Sequence, residues 1–181
     1  MKMVVIYGDK KEKSIDETII RALKNYNGVC YQSENNIHCF SHCYASPFFV
    51  YSSSKIPKIQ GCSGIFVFKN SFCNFDEKEM PRNFTPIFDA QNTKAAKILK
   101  STEQIAITCG VSQKSTLSIS SFDGKQAIVS LQRYVKSIDL KTIEPGDFCV
   151  KLNCLTDVYP MLVASAILLL SGIDPKNGYN F

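Results

Sequence analysis

Two histidines and two cysteines lie close together in the sequence, at His38, Cys39, His42 and Cys43. Imidazole nitrogen and thiolate sulfur hold Zn²⁺ in tetrahedral protein sites, and Cys30 and Cys62 are further sulfur ligands within conceivable reach. The spacing is not that of a C-x₂₋₄-C knuckle with a second ligand pair, and adjacent residues of a strand point to opposite faces. A Cys-His nucleophilic pair lacks an identifiable Asn or Asp to orient the histidine. We expect ordinary packing at this cluster, with a zinc site as an alternative.

A short charged loop with the sequence GDKKEKS, residues 8–14, follows the first apolar run and precedes a helical pattern. A phosphate-binding loop occupies this position in other proteins, where backbone amides wrap the phosphates and Lys and Ser/Thr contact phosphate oxygen and Mg²⁺. Gly8 fits that pattern, but Lys13 and Ser14 lack the G-x-x-x-x-G-K-[ST] spacing, and Glu12 would repel phosphate. We expect a plain charged loop, with a phosphate site at Gly8, Lys13 and Ser14 as the alternative.

Asp89 stands at the carboxyl end of a predicted parallel strand, where open α/β sheets bind their ligands. A loop-start aspartate is also a common turn or cap residue. The 16 acidic residues form no recognisable carboxylate pair. A divergent site around Asp89, Gln91 and Asn92, acting on a nucleotide or nucleotide-sugar, is therefore one hypothesis for the function.

The composition is that of an ordinary globular protein, with 45% hydrophobic and 20% charged residues in a chain of 181. A single domain over residues 1–181 is expected for this length. The net charge of +5 comes from scattered basic residues, apart from Lys10, Lys11 and Lys13. A nucleic-acid-binding protein usually shows a concentrated basic face with aromatic platforms, so we do not expect a nucleic-acid partner.

The N-terminal residues lack the long apolar core and small-residue cleavage site of a secretory signal. The longest apolar run, residues 158–170, falls short of the roughly 18 to 20 residues needed to cross a bilayer. We read it as a buried core helix. The eight cysteines are then expected to be reduced thiols in a cytoplasmic protein without membrane contact.

The apolar patterns predict an α/β fold, with a mainly parallel sheet flanked by helices and an antiparallel hairpin segment near the C-terminus. Helices are predicted from a Ser14–Glu17 capping box to Tyr26, from Asn92, and over 158–170 with Thr156 or Asp157 as cap. Strands are predicted at 3–7, 29–31, 37–40, 47–51, 65–68, 86–88, 105–108 and 148–152, and on either side of Asp123-Gly124. The strand 65–68 has no polar alternation, which is typical of a central strand covered on both faces.

The segments PIFDAQNTKAAKIL, IAITCG, DFCVKL and YPMLVASAILLLSGI follow one another in the C-terminal half. In order and texture they resemble the central domain of the Mur ligases, the ATP-dependent enzymes that add amino acids to peptidoglycan precursors. Extended backwards, the resemblance makes VVIYGDKKEKS the phosphate-loop strand and turn, PFFVYSSS the strand that carries a metal-binding Glu, and IFVFKNSFCNF the strand that ends in Thr-Asn and Asp-His. It implies a Mur ligase central-domain-like fold over nearly the whole chain.

The chain departs from the family at the residues that phosphoryl transfer needs. Lys11, Glu12 and Lys13 stand at the Gly-Lys-Thr of the phosphate loop, and PFFVYSSS offers no acid for the metal. Asn70 matches the Asn of Thr-Asn. The Asp-His pair falls on Asn74 and Phe75, and the adenine-contacting Asn-x-Asp-Asp falls on Asp89, Ala90, Gln91 and Asn92. The resemblance therefore implies a degenerate phosphate cradle without its Mg²⁺ ligands.

Our first hypothesis is a non-catalytic Mur-ligase-like domain, a pseudoenzyme that binds a small molecule or a protein partner. On this hypothesis the ligand site uses Gly8, Lys13, Ser14, Asn70, Asp89, Gln91 and Asn92. The divergent nucleotide enzyme and the small zinc-binding protein are the alternatives. The sequence specifies no cofactor or ligand, and a homo-oligomer stays open.

Overall fold

The computed structural model describes residues 1–34, 36–40, 47–73 and 80–181. The helices in these residues are α1 (Ser14–Lys24), α2 (Thr93–Thr102) and α3 (Val158–Leu170). The strands are β1 (Lys2–Tyr7), β2 (Val29–Ser33), β3 (Asn36–Phe40), β4 (Phe48–Ser53), β5 (Gly64–Phe68), β6 (Phe84–Asp89), β7 (Ile107–Gly110), β8 (Leu117–Phe122), β9 (Gln126–Leu131), β10 (Val135–Lys136), β11 (Thr142–Ile143), β12 (Gly146–Lys151) and β13 (Tyr179–Asn180). A 3₁₀ turn, Pro175–Asn177, precedes β13.

In the described part of the chain, eleven strands form one sheet in the order β13-β12-β9-β8-β7-β6-β5-β1-β4-β2-β3. Neighbouring strands from β2 to β8 in this order are parallel. The pairs β8·β9, β9·β12 and β2·β3 are antiparallel. The predicted α/β fold, with a mainly parallel sheet and an antiparallel segment near the C-terminus, is confirmed.

Strand β1 shows why both faces of the sheet are covered. Successive side chains of a strand point to opposite faces. Val4 and Ile6 pack into a cluster with residues of α1 and α3, whereas Val5 and Tyr7 pack on the other face with β5 aromatics and Leu99 of α2. All five residues of β5 are buried, as predicted for a central strand.

Helix α3 is apolar around its whole circumference. From Pro160 to Leu170 every residue is buried, which agrees with its prediction as a core helix. The hydroxyl of the buried Ser165 donates to the Met161 carbonyl at 2.9 Å. Among the described residues, none of the helices is long and apolar enough to span a bilayer.

The predicted capping box at the start of α1 is wrong. The helix begins at Ser14 itself, and Lys13 occupies the N-cap position without a side-chain capping bond. Lys13 already has helical dihedral angles, φ −94° and ψ −16°, so Ser14 lies too far into the helix to cap it. The helix ends at Lys24, two residues before the predicted Tyr26. Asn27 and Gly28, predicted to stop it, both have positive φ.

Other observed boundaries differ from the predicted ones for local reasons. Strand β7 begins at Ile107 rather than at Ile105, whose side chain is exposed. Helix α2 begins next to Asn92 as predicted, and the Asn92 side chain caps it. The side chain of Asp157 at the start of α3 makes no capping bond. The strands β10, β11 and β13 were not predicted, because two residues carry too little periodicity to recognise.

Candidate functional site

The loop between β1 and α1 lies at the carboxyl edge of the parallel strands, where α/β sheets bind ligands. Its first residue, Gly8, has φ 153° and donates its backbone N–H to the Ser53 carbonyl at 3.1 Å. An added Cβ at Gly8 would come within 2.4 Å of the Cβ of Lys69. The glycine therefore lets the end of β1 lie directly against the residue that follows β5.

Three bonds tie this loop to the segment 69–71. The Asp9 N–H donates to Ser71 Oγ at 3.1 Å, and the Ser71 N–H donates to a Glu12 carboxylate oxygen at 3.0 Å. The Lys69 ammonium donates to the Asp9 carbonyl at 3.3 Å. In a phosphate loop, backbone amides at this position bind the ligand. In this loop the Asp9 N–H and the Glu12 carboxylate are instead hydrogen-bonded to Ser71 of the same chain.

A buried ion pair lies beneath the loop. The Lys69 ammonium is 2.5 Å from the Asp16 carboxylate, and the two side chains are 1% and 7% exposed. The other oxygen of Asp16 accepts a hydrogen bond from the Tyr31 hydroxyl at 3.0 Å. Burial, reinforced by the adjacent Asp16 carboxylate, raises the pKa of Tyr31 to about 12. Tyr31 is therefore a neutral hydrogen-bond donor at physiological pH, and the Lys69 charge is balanced from within the chain.

The predicted ligand residues at the ends of β5 and β6 bond to one another. The Asn70 amide donates to Asp89 Oδ2 at 3.0 Å, and Asn70 Oδ1 accepts from the Asn92 amide at 3.2 Å. Asp89 Oδ1 accepts from the Gln91 backbone N–H at 2.9 Å. Asn92 Oδ1 also caps α2 by accepting from the Ala95 N–H at 3.1 Å. The structure thus brings Asn70, Asp89 and Asn92 together in a polar cluster linked by side-chain hydrogen bonds.

Asn92→Ala is expected to lower the free energy of unfolding by about 1 kcal/mol, because the helix loses its side-chain cap. For a domain of this size the melting temperature should fall by roughly 2–4 °C. Gln91→Ala is the matched control, since its exposed side chain lies outside the cap. A melting curve for Asn92→Ala that overlays that of Gln91→Ala would contradict the capping role.

Tyr159 of α3 contacts the same edge of the sheet, at the end of β5. Its hydroxyl donates to the Phe68 carbonyl at 2.5 Å, at the end of β5. Burial raises the pKa of Tyr159 well above its usual range, and the nearby Cys109, Asp89 and Glu12 add to the effect. The phenol is therefore neutral and stays a donor. Sequence reasoning missed Lys69, Ser71 and Tyr159.

A polar cleft of about 510 Å³ remains open beside the loop, on the side of β2 and β4. Its lining includes Lys10, Lys11, Lys13, Lys69, Ser33 and Ser52. Lys10 pairs with Glu34 across 3.4 Å, but both side chains are exposed, so the pair adds little stability. The same lining holds Asp16, Glu17 and Glu34, so ammonium, hydroxyl and carboxylate groups together can bind a polar ligand.

The predicted site residues divide between separate places. Lys13 lines the 510 Å³ cleft, whereas Ser14 lines a different cleft of about 450 Å³ between α1 and α3. Asn70, Asp89 and Asn92 form their cluster on the other side of the loop, near the ends of β5 and β6. The structure therefore does not gather these residues into one pocket.

The His/Cys cluster is only partly described, since His42 and Cys43 lie outside the described residues. His38 and Cys39 are adjacent, exposed residues of the outer strand β3. The sulfur of Cys39 lies 2.7 Å from the sulfur of Cys30 on β2. Within the described ranges, no group of three or more His, Cys, Asp or Glu side chains is placed to hold a metal ion.

No protein-family model matches this sequence, and a search of curated proteins also found no match. Solved structures do match. The chain is similar to a UDP-N-acetylmuramoyl-L-alanyl-D-glutamate–2,6-diaminopimelate ligase, with 12% identity and a TM-score of 0.63 over 98% of this chain and 45% of that one. It is also similar to the UDP-N-acetylmuramate:L-alanyl-γ-D-glutamyl-meso-diaminopimelate ligase of Neisseria meningitides, with 12% identity and a TM-score of 0.60 over 97% and 63% of the two chains.

A murein peptide ligase from Psychrobacter arcticus 273-4 gives 13% identity and a TM-score of 0.54, over 97% of this chain and 45% of that one. The chain thus spans less than two thirds of the length of each of these structures. At such low identity the likeness shows the fold alone. The Mur ligase central-domain-like fold suggested by the sequence is confirmed.

Proposed function

We propose that this chain is a non-catalytic Mur-ligase-like domain that binds a small molecule or a protein partner and does not turn over ATP. The fold is like that of Mur ligases, while the residues at the carboxyl edge of its parallel strands are hydrogen-bonded to one another. Nearly the whole chain corresponds to less than two thirds of each ligase structure, so we propose a function for this domain and not for a whole ligase.

The proposal depends most on the loop after β1, whose polar groups are hydrogen-bonded to residues of the same chain. Phosphate binding needs backbone N–H groups and a cation directed at the ligand, in a space that the ligand can enter. In this chain Glu12 contributes a carboxylate to that space and bonds Ser71, while the Lys69 ammonium is neutralised by Asp16. An incoming triphosphate would therefore meet the Glu12 carboxylate and a lysine whose charge is already paired.

The polar cleft beside the loop is our candidate for the binding function. It is bounded by the lysines of the loop and by the ends of β2 and β4, and its volume of about 510 Å³ suits a small ligand or a side chain of a partner. Lys11 and Lys13 are exposed at this cleft. They can meet a ligand without breaking the Lys69–Asp16 pair.

ATP with Mg²⁺ is expected to leave the melting temperature of the protein unchanged and to remain unhydrolysed. A ligand present at about 100 times its Kd would stabilise the native state by roughly 2.7 kcal/mol. In a chain of this length that free energy corresponds to a rise of roughly 5–10 °C, which a thermal-shift assay resolves easily. Phosphate release measured on the same sample reports hydrolysis.

Two variants make the assay specific. A clear shift together with phosphate release from the unmodified protein would overturn the proposal in favour of a nucleotide enzyme. Asp89→Ala would then show whether the edge at β6 is the site, and Lys13→Ala whether the lysine-lined cleft is. A shift that both variants retain would place nucleotide binding elsewhere on the protein.

A further inference from the structure

Two cysteines face each other across the hairpin formed by β2 and β3. The antiparallel register places Cys30 directly opposite Cys39. Their sulfur atoms are 2.7 Å apart, compared with about 2.05 Å in a disulfide bond. Directly opposed positions of an antiparallel pair also have the side-chain proximity that a cross-strand bond needs. A small side-chain movement is thus enough to bring the sulfurs to bonding distance.

The surroundings make one thiol accessible and the other its natural partner. Strand β3 stands at the end of the sheet in the described part of the chain, and all five of its residues are exposed. Cys39 is therefore open to solvent, while Cys30 is half-buried. The hydrogen bond to Cys39, followed by burial, raises the pKa of Cys30 to about 11. Cys30 is thus protonated at neutral pH, and Cys39 is the thiol that a reagent reaches first.

We propose that Cys30 and Cys39 form a reversible disulfide when the protein meets a low-molecular-weight disulfide such as oxidised glutathione. The Cys39 thiolate attacks one sulfur of the reagent, which forms a mixed disulfide and releases one glutathione thiolate. Cys30 then gives up its proton to solvent and attacks the Cys39 sulfur, which releases the second glutathione. The two protein thiols are oxidised together, and the reagent is reduced to two thiols.

The disulfide would link two strands, β2 and β3, that contribute residues to the lining of the polar cleft. Tyr31, Ser33, Glu34 and Asn36 line that cleft and lie between the two cysteines in the chain. A covalent link from β2 to β3 fixes the register of this hairpin, whose outer strand pairs only with β2 among the described strands. The opposed cysteines can form this bond whether or not the cleft binds a ligand.

Peptide mapping under non-reducing conditions tests the proposal. The reduced full-length protein is incubated with oxidised glutathione at neutral pH, its remaining thiols are alkylated, and it is digested. We expect a Cys30–Cys39 linked peptide as the main protein disulfide, reversed by a dithiol reductant. Cys30→Ser should instead leave Cys39 as a stable mixed disulfide carrying one glutathione, because the second thiol is missing.

Three control variants separate this pair from the other cysteines. Cys73→Ser and Cys154→Ser remove exposed thiols outside the hairpin and should leave the Cys30–Cys39 peptide unchanged. Cys43→Ser removes the nearest cysteine in sequence to Cys39 and should also leave it unchanged. A mixed disulfide that persists at Cys39 in the unmodified protein, or a link from Cys39 to Cys43 in place of Cys30, would overturn the proposal.

Discussion

Asp16→Asn is expected to lower the free energy of unfolding by about 3–5 kcal/mol, the range for removing one partner of a buried ion pair. The Lys69 ammonium would stay buried at 1% exposure, with the Asp9 carbonyl and a neutral amide in place of its counter-ion. The melting temperature should fall by roughly 6–20 °C, given about 2–4 °C per kcal/mol for a domain of this size. Denaturant unfolding monitored by circular dichroism measures the change directly.

Glu17→Gln is the matched control for this experiment. Glu17 is also an acid in the first turn of α1, but it is exposed. Its neutralisation therefore reports only the interaction with the helix dipole, about 0.3–1 kcal/mol. A loss for Asp16→Asn no larger than that for Glu17→Gln would show that the Lys69–Asp16 pair does not hold the loop in place.

A double variant distinguishes the charge from the volume of these side chains. Asp16→Leu combined with Lys69→Met leaves no buried charge, and replacements of this kind are often neutral or stabilising. The double variant should therefore be markedly more stable than either single variant, although the Tyr31 hydroxyl loses its acceptor. The coupling free energy between the two positions is read from the double-mutant cycle.

Much of the fold could be predicted because its strongest signals are long and periodic. Val4 to Tyr7 and Ile65 to Phe68 are buried on both faces. Their unbroken apolar runs predicted both as strands, and the second as a central strand. The alternation around Asp123-Gly124 identified the β8·β9 hairpin, which the register confirms. The predicted start of α1 was wrong because serine favours the N-cap position in general. In the structure Lys13 occupies that position and Ser14 is the first helical residue.

The site was harder to predict because its key contacts join residues that are distant in sequence. Lys69 follows an apolar strand and looks like an ordinary solvated lysine until the fold places it beneath Asp9 and beside Asp16. One signal was available in α1, where Asp16 stands three residues before Ile19 and seven before Leu23 on the buried face. An acid on the buried face of a helix needs a buried partner. The sequence alone could not identify which basic residue that partner is.

The same contacts give the glycine after β1 a role that is independent of phosphate binding. Sequence reasoning selected Gly8 as the one residue that fits a phosphate loop. In the structure its missing side chain makes room for the backbone-proximal carbons of Lys69, which then reaches Asp16. Gly8 therefore has a structural role that does not require a ligand.

Gly8→Ala is accordingly expected to destabilise the protein by about 2–6 kcal/mol. The added Cβ would stand 2.4 Å from the Cβ of Lys69 and 3.0 Å from its Cγ, and the backbone has φ 153°. Unfavourable backbone geometry costs about 1–3 kcal/mol, and overpacking of a filled interior adds about 1–3 kcal/mol. The fall in the midpoint of urea unfolding, measured without any nucleotide, reports the sum.

Gly61→Ala provides the matched control, because Gly61 has positive φ of 74° with no atom within 4 Å of an added Cβ. The excess loss of Gly8→Ala over Gly61→Ala measures the close packing against Lys69. A glycine retained only for phosphate would tolerate alanine in the ligand-free protein about as well as Gly61 does. Equal losses for the two variants would therefore contradict the structural role of Gly8 and reopen the phosphate-loop interpretation, because the contact with Lys69 would no longer account for the glycine.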